Sequence, residues 1–397
     1  MVILGVRTAL GEEAFADWGW RLPFLVSIVL LAVSVWIRMS MAESPAFLKM
    51  QEEGKVSKAP LAECFGQPKN LRILILALFG LVAGQAVIWY TGQFYTMFFL
   101  TSVLKVDGST ANILLGLALL LGTPFYVVFG ILSDRVGRKP VIMAGLLLAC
   151  LTYFPLFKAL TEAANPDLAR ALANSQVVVK ADPMTCSFQG SPIAREIDFT
   201  SACDIAKRTL AVNAASYANV ALPSGSPAVV MVGKVEIPAP NGRLTAEGDR
   251  FEPATTVAIT EFRQKVAAAL VEAGYPKAAD PAKMNKPAIV VILLVLVIFV
   301  TMVYGPIAAA LVEMFPTRIR YTSLSIPYHI GNGWFGGLMP TIAFAMAAGN
   351  GDIYHGLWYP VVIAGLTLVI GMLFVRETKD VDIYSKFLYW HPGRLGK

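Results

Sequence analysis

The chain has 397 residues, is 56% hydrophobic and 15% charged, and carries a formal net charge of +6, whereas a soluble domain carries roughly 25% charged residues. Its apolar residues collect in runs of about 20 nearly free of charge, the length that crosses a hydrocarbon core roughly 30 Å thick. A soluble globule and a disordered chain are excluded, nucleic acid is a poor partner for the positive surplus, and the lipid bilayer is the partner the composition implies.

Residues 1–19 begin with an apolar stretch too short to cross, without the basic start and small-residue cleavage site of a signal peptide. They read as the remnant of a preceding helix and an outer loop. Seven transmembrane helices are predicted at 20–37, 73–100, 110–132, 141–157, 288–312, 323–348 and 357–375, because these runs are apolar all round and a spanning strand would alternate. The matching domains are 20–38, 73–157 and 288–375, with a cytoplasmic loop at 39–72 and a cytoplasmic tail at 376–397. In that loop Ser44, Pro45 and Gly54 provide a cap, a first-turn proline and a stop for a short surface helix.

Residues 158–287 do not fit a membrane pattern. Fourteen basic residues balance thirteen acidic ones, and proline- and glycine-rich turns separate strand-like runs at 177–180 and 229–235. A helix is predicted at 256–273 from Val257, Ile259, Phe262, Val266 and Leu270 spaced among charged residues. This reads as a small exported α+β insertion. Cys186 and Cys203 are its candidate disulfide, set against two free thiols in a modest core, while Cys64 and Cys150 are expected free.

Orientation follows the positive-inside rule. Sixteen basic residues fall on one side (Arg38, Lys49, Lys55, Lys58, Lys69, Arg72, Arg135, Arg138, Lys139, Arg318, Arg320, Arg376, Lys379, Lys386, Arg394, Lys397), against Arg7, Arg21 and Lys105 in the short segments opposite. The C-terminus is therefore expected in the cytoplasm, with the N-terminus and the insertion in the periplasm.

The sharpest motif runs from Gly130 through Asp134, Arg135, Gly137, Arg138 and Lys139 to Pro140. A basic turn alone explains its cations but not the carboxylate. Asp134 can accept from the orphan N–H groups of the following helix and pair with Arg135 or Arg138. This motif resembles the signature loop of the major facilitator superfamily, which occurs between helices two and three and again between helices eight and nine. Glu313, Pro316, Arg318 and Arg320 resemble that family's loop between helices ten and eleven. The segments Gly19–Phe24, Trp89–Tyr95 and Tyr328–Gly337 resemble its metabolite:proton symporter branch.

The resemblance implies a helical bundle made of the C-terminal six-helix half plus one helix, with the α+β insertion between helices nine and ten. In that register helices one to five are absent, so an internal start, a truncated gene or a fragment is expected. It further implies symport of a small polar solute with a proton, no other cofactor, no metal and no catalytic residues.

Gln85, Trp89 and Gln93 recur every four residues and share a helix face, with Tyr90 beside them. Two amides and an indole are costly against lipid, so the face is expected to line a cavity; packing between helices is the alternative. His329 and Asn332, three apart, share another face that Tyr304 can approach. His329 is the imidazole in a span, a candidate for proton coupling, set against a neutral ring donating one hydrogen bond. Gly331, Gly333 and Gly336 fit a dinucleotide fingerprint by spacing, but the required strand and later acid are missing. A non-transporting membrane sensor or assembly partner acting through the insertion is the alternative function.

Overall fold

The computed structural model describes residues 2–41, 43, 45–54, 57–189 and 195–381. Ser44, Lys55, Lys386, Arg394 and Lys397, used above for a helix cap and for sidedness, lie outside the described residues. The helix that Ser44 was expected to cap is present as Pro45–Glu52, and Gly54 follows it with φ +66°.

Among the described residues, six helices are long and apolar enough to cross a membrane: α1 (Phe15–Ser40), α2 (Pro68–Val103), α3 (Gly108–Val136) and α4 (Arg138–Ala164) come before the insertion. After it come α8 (Lys286–Met314) and α11 (His355–Phe374). Each covers one predicted span to within a residue and starts earlier; for α3 and α8 a polar side chain just outside the apolar run caps the helix. Asp107 accepts from the Thr110 N–H at 2.9 Å, and Asn285 from the Ala288 N–H at 3.1 Å.

The predicted span at 323–348 is not one such helix. It is built from α9 (Arg320–Ile330), a wide π turn at Gly331–Gly336, and α10 (Met339–Asn350). Glycines at 331, 333, 336 and 337 weaken the helix, and Pro327 and Pro340 each remove a backbone donor. Serine, threonine, histidine and asparagine dilute the apolar content that a continuous span needs.

Residues 74–311 and 325–380 form one compact unit, and residues 2–73 gather with 312–324 in another. In the first, α8 packs on α3 and α4, and α11 packs on α4 and α2. Hydrocarbon gives no hydrophobic drive between helices, so close packing holds them together. Tyr95, Phe99, Tyr153 and Phe157 are its largest fully buried side chains, and the rings of Phe99 and Phe157 meet edge to face at 5.0 Å, a geometry worth about 0.5–1.5 kcal/mol. In the second unit no residue of Arg21–Ser40 is buried, as lipid contact permits.

Among its described residues the insertion is a four-stranded sheet with three α-helices. After α5 (Pro166–Asn174) come β1 (Val177–Ala181), α6 (Ala202–Val212), β2 (Ala218–Ala221), β3 (Val229–Val232), β4 (Val235–Pro238) and α7 (Pro253–Glu272). The spatial order is β2-β1-β3-β4; β1 and β2 are parallel, joined through α6, and the other pairs are antiparallel. The predicted single strand at 229–235 is instead a hairpin: Val232 pairs with Val235, and Gly233 at φ +58° supplies the left-handed residue a two-residue turn needs. In β1, Val177, Val179 and Ala181 alternate inward. Ile259, Phe262, Val266 and Leu270 of α7 are buried, but Val257 is exposed. Cys186 and Cys203 are joined as a disulfide, and Cys64 and Cys150 are free.

Candidate functional site

The motif at residues 130–140 closes the turn between α3 and α4. Gly137 ends one helix and starts the next at φ +111°, a conformation that favours glycine. The Asp134 carboxylate meets the Arg138 guanidinium at 2.7 Å; Asp134 is 67% exposed and Arg138 only 11%. Arg138 also donates to the Ser133 carbonyl at 2.8 Å, so the cation sits over the C-terminal end of α3, where the helix dipole favours it.

One expectation for Asp134 is corrected. It pairs with Arg138, while the first N–H groups of α4 go to another carboxylate. The capping carboxylate is Glu377, beyond the end of α11. Arg138 N–H donates to its Oε1 at 2.9 Å and Lys139 N–H to its Oε2 at 3.0 Å. Thr378 and Lys379 N–H groups also donate to Oε1. Burial pushes the Glu377 carboxyl up, and these four donors outweigh it, so it is held below the ordinary carboxylate value. In return, Lys139 Nζ donates to the Met372 and Val375 carbonyls, both at 2.8 Å, and Lys379 Nζ to the Arg135 carbonyl at 2.9 Å. The ends of α3, α4 and α11 are thus knotted by cations on helix C-termini and a carboxylate on a helix N-terminus. Glu377 was missed as a site residue because its partners lie about 240 residues away in the chain.

The second loop motif works differently. Arg318 pairs with Glu63 at 2.7 Å, and Ser57 Oγ donates to the same carboxylate at 2.7 Å. Burial raises the Glu63 carboxyl, and the Ser57 and Arg318 bonds bring it below its ordinary value. Arg320 Nε donates to the Phe315 carbonyl at 3.0 Å, and Pro316 and Thr317 form the turn between them. Glu313 makes its own polar interaction. Buried Cys64 lies 2.9 Å from Ser323 Oγ. Proline at the start of the Pro60–Gly66 helix and an acid in its first turn were the available signals for Glu63.

The candidates for a solute cavity divide. Trp89 stacks against Tyr304 at 6.4 Å and meets Tyr90 and Phe94 at 5.0 and 5.4 Å. The Tyr304 and Tyr328 hydroxyls bond at 2.8 Å, and Asn332 Nδ2 donates to the Tyr328 carbonyl at 2.9 Å. The His329 ring lies 5.8 Å from that of Tyr328. The structure therefore links Trp89 and Tyr90 through Tyr304 to Tyr328, with His329 and Asn332 in contact with Tyr328; the sequence reading had passed over Tyr328 in favour of its neighbour His329.

Gln85 and Gln93 do not share this arrangement. Gln85 is fully buried, and neither amide atom has a hydrogen-bond partner among the described residues. Gln93 lies on a π turn, Thr91–Tyr95. That turn follows the regular α-helical stretch Ala83–Tyr90, which carries Gln85 and Trp89, so only Gln93 departs from the four-residue repeat. Among the described residues no three His, Cys, Asp or Glu side chains converge as a metal site.

Residues 7–172 match the family model described as Major Facilitator Superfamily, and residues 260–385 match the one described as Sugar (and other) transporter. An inner membrane metabolite transport protein of Escherichia coli is 32% identical over 166 residues, 41% of this chain and 37% of that protein. A citrate-proton symporter of Salmonella typhi is 32% identical over 169 residues, 42% and 36% respectively. A proline/betaine transporter of Salmonella typhimurium is 30% identical over 169 residues, 39% and 32%. The chain thus spans about a third of the length of these curated relatives. No solved structure matches. The two transporter models, which reach into either end of the insertion, agree with the helical bundle and the Asp134–Arg138 turn in supporting a place for the chain in the major facilitator superfamily.

Proposed function

We propose that the chain works in a secondary active transporter that carries a small polar metabolite, an organic acid or betaine-like solute, together with a proton across a bacterial inner membrane by alternating access. The observation that carries this reading is the knot of Asp134, Arg138, Lys139 and Glu377. It ties three helix ends into one block, as a bundle that rocks as a rigid body requires. The distribution of basic residues supports a cytoplasmic position for the knot and a periplasmic one for the insertion.

In this reading Trp89, Tyr90, Tyr304, Tyr328 and Asn332 hold the solute by ring contact and hydrogen bonds. None supplies a fixed counter-charge. His329, the imidazole in a predicted span, is the proton-coupling candidate. The test is uptake of labelled citrate, α-ketoglutarate, proline and glycine betaine by cells expressing the complete reading frame that contains this chain, with and without a protonophore. Accumulation of one solute that collapses with the proton gradient supports the reading. Accumulation of none, with binding of a solute by the insertion, favours the sensor alternative.

A further inference from the structure

The insertion grips two loops of the helical bundle. At the end of α10, four consecutive carbonyls each accept a hydrogen bond from it. Tyr217 Oη donates to Ala348 O, Lys207 Nζ to Gly349 O at 3.0 Å, Asn219 Nδ2 to Asn350 O at 2.5 Å and Tyr217 N–H to Gly351 O at 2.7 Å. These are the carbonyls a helix C-terminus leaves without intrahelical partners, and an ammonium among them complements the helix dipole. Gly351 holds the turn at φ +100°, and a Cβ there would overlap the Tyr217 carbonyl.

The grip on the loop between α2 and α3 runs the other way. Lys105 of the bundle donates its Nζ to Val212 O, the end of α6, at 2.7 Å, so each partner caps a helix of the other with a lysine. Lys105 O accepts from Ala279 N–H at 3.0 Å, and Leu104 O from Asn165 Nδ2 at 2.9 Å. Lys105 sits at φ +57°, a strained conformation for a residue with a side chain, which persists only where its surroundings over-determine it. Between the two grips, Ala211 and Tyr217 close an apolar seam with Tyr95, Phe98, Val103 and Phe344.

The helix that the insertion holds at its outer end is the broken one. Below the gripped segment α10, the π turn Gly331–Gly336 and Gly337 separate it from α9, and this break carries the residues next to His329 and Asn332. We propose that the insertion is a brace: it fixes α10 and the α2–α3 loop to each other, so that movement of the α9–α10 rod is confined to residues 331–338. The hydrogen bonds and the break carry this inference, and it stands whether or not the chain transports.

Hydrogen–deuterium exchange on the full chain in lipid nanodiscs tests it. In the unmodified chain, amides of 341–350 should exchange more slowly than those of 331–338. Combining Lys207→Met, Tyr217→Phe and Asn219→Ala should speed exchange at 345–353 by about tenfold or more, leaving β1 and β3 protected. Should the triple variant also unprotect the sheet, Tyr217→Phe alone, which removes one hydroxyl, replaces it with the same expectation on a smaller scale. Unchanged exchange at 345–353 in a variant with an intact sheet overturns the brace, as does faster exchange at 341–350 than at 331–338 in the unmodified chain.

Discussion

Gly137 lies against the Glu377 carboxylate so closely that a Cβ at Gly137 would overlap it. The two residues set the geometry of this knot, one by having no side chain and the other by filling the space. Gly137→Ala should therefore destabilise the protein by about 1–3 kcal/mol, through left-handed backbone strain and displacement of the cap. Glu377→Gln keeps the shape and loses the charge, and should cost about 1 kcal/mol, the scale of a helix cap. Thermal melting in detergent measures both, and Gly137→Ala should be the lower.

Glu377 also predicts a pH dependence. Its folded carboxyl lies below the ordinary value, so its contribution is present above the ordinary carboxylate range and is lost as pH falls through the lowered folded value. Between about pH 5 and pH 3 the native melting temperature should fall more steeply than that of Glu377→Gln. Parallel curves would show that the carboxylate does not hold the knot.

Tyr304 and Tyr328 share one hydrogen bond at 2.8 Å. If they hold solute together, Tyr304→Phe and Tyr328→Phe should each raise KM for uptake by about 2- to 10-fold, the worth of one hydrogen bond. The double variant should be little worse than either, because both remove the same bond. Full additivity in KM would place the two hydroxyls at separate tasks.

Cys64 is fully buried and bonded to Ser323, while the Glu63–Arg318 pair beside it is partly exposed. Maleimide should label Cys64 only after local opening. Glu63→Gln should accelerate labelling by about fivefold at most, since such a pair is worth up to about 1 kcal/mol. For the insertion, Cys203→Ser should lower its stability by about 3 kcal/mol, on the loop-entropy account of a short disulfide-closed loop; proteolysis confined to 158–287 reads this.

The membrane helices were legible because apolar length is a property of one segment. The 323–348 stretch was less so: its glycines and Pro340 break the helix, and only the folded backbone shows that the break falls at residues 331–338. The Asp134–Arg138 pair could be read because its members lie four residues apart. Glu377 and Glu63 could not, since their partners arrive from distant parts of the chain. Nor could the π turn Thr91–Tyr95, which takes Gln93 off the regular four-residue repeat, be read from spacing alone. β2 left no signal at all: Ala218–Ala221 is an exposed edge strand, held by backbone pairing to β1. Sequence spacing pointed to Trp89 and His329, but the Tyr304–Tyr328 hydroxyl bond between them emerges only from contact between α8 and α9.

Proton-driven uptake tests the central claim most directly. The complete reading frame containing this chain, reconstituted into liposomes with an imposed pH gradient, should accumulate at least one of citrate, α-ketoglutarate, proline or glycine betaine. A protonophore should abolish that accumulation, and Gly137→Ala should reduce it. Absence of accumulation for all four, or accumulation indifferent to the proton gradient, would contradict the account.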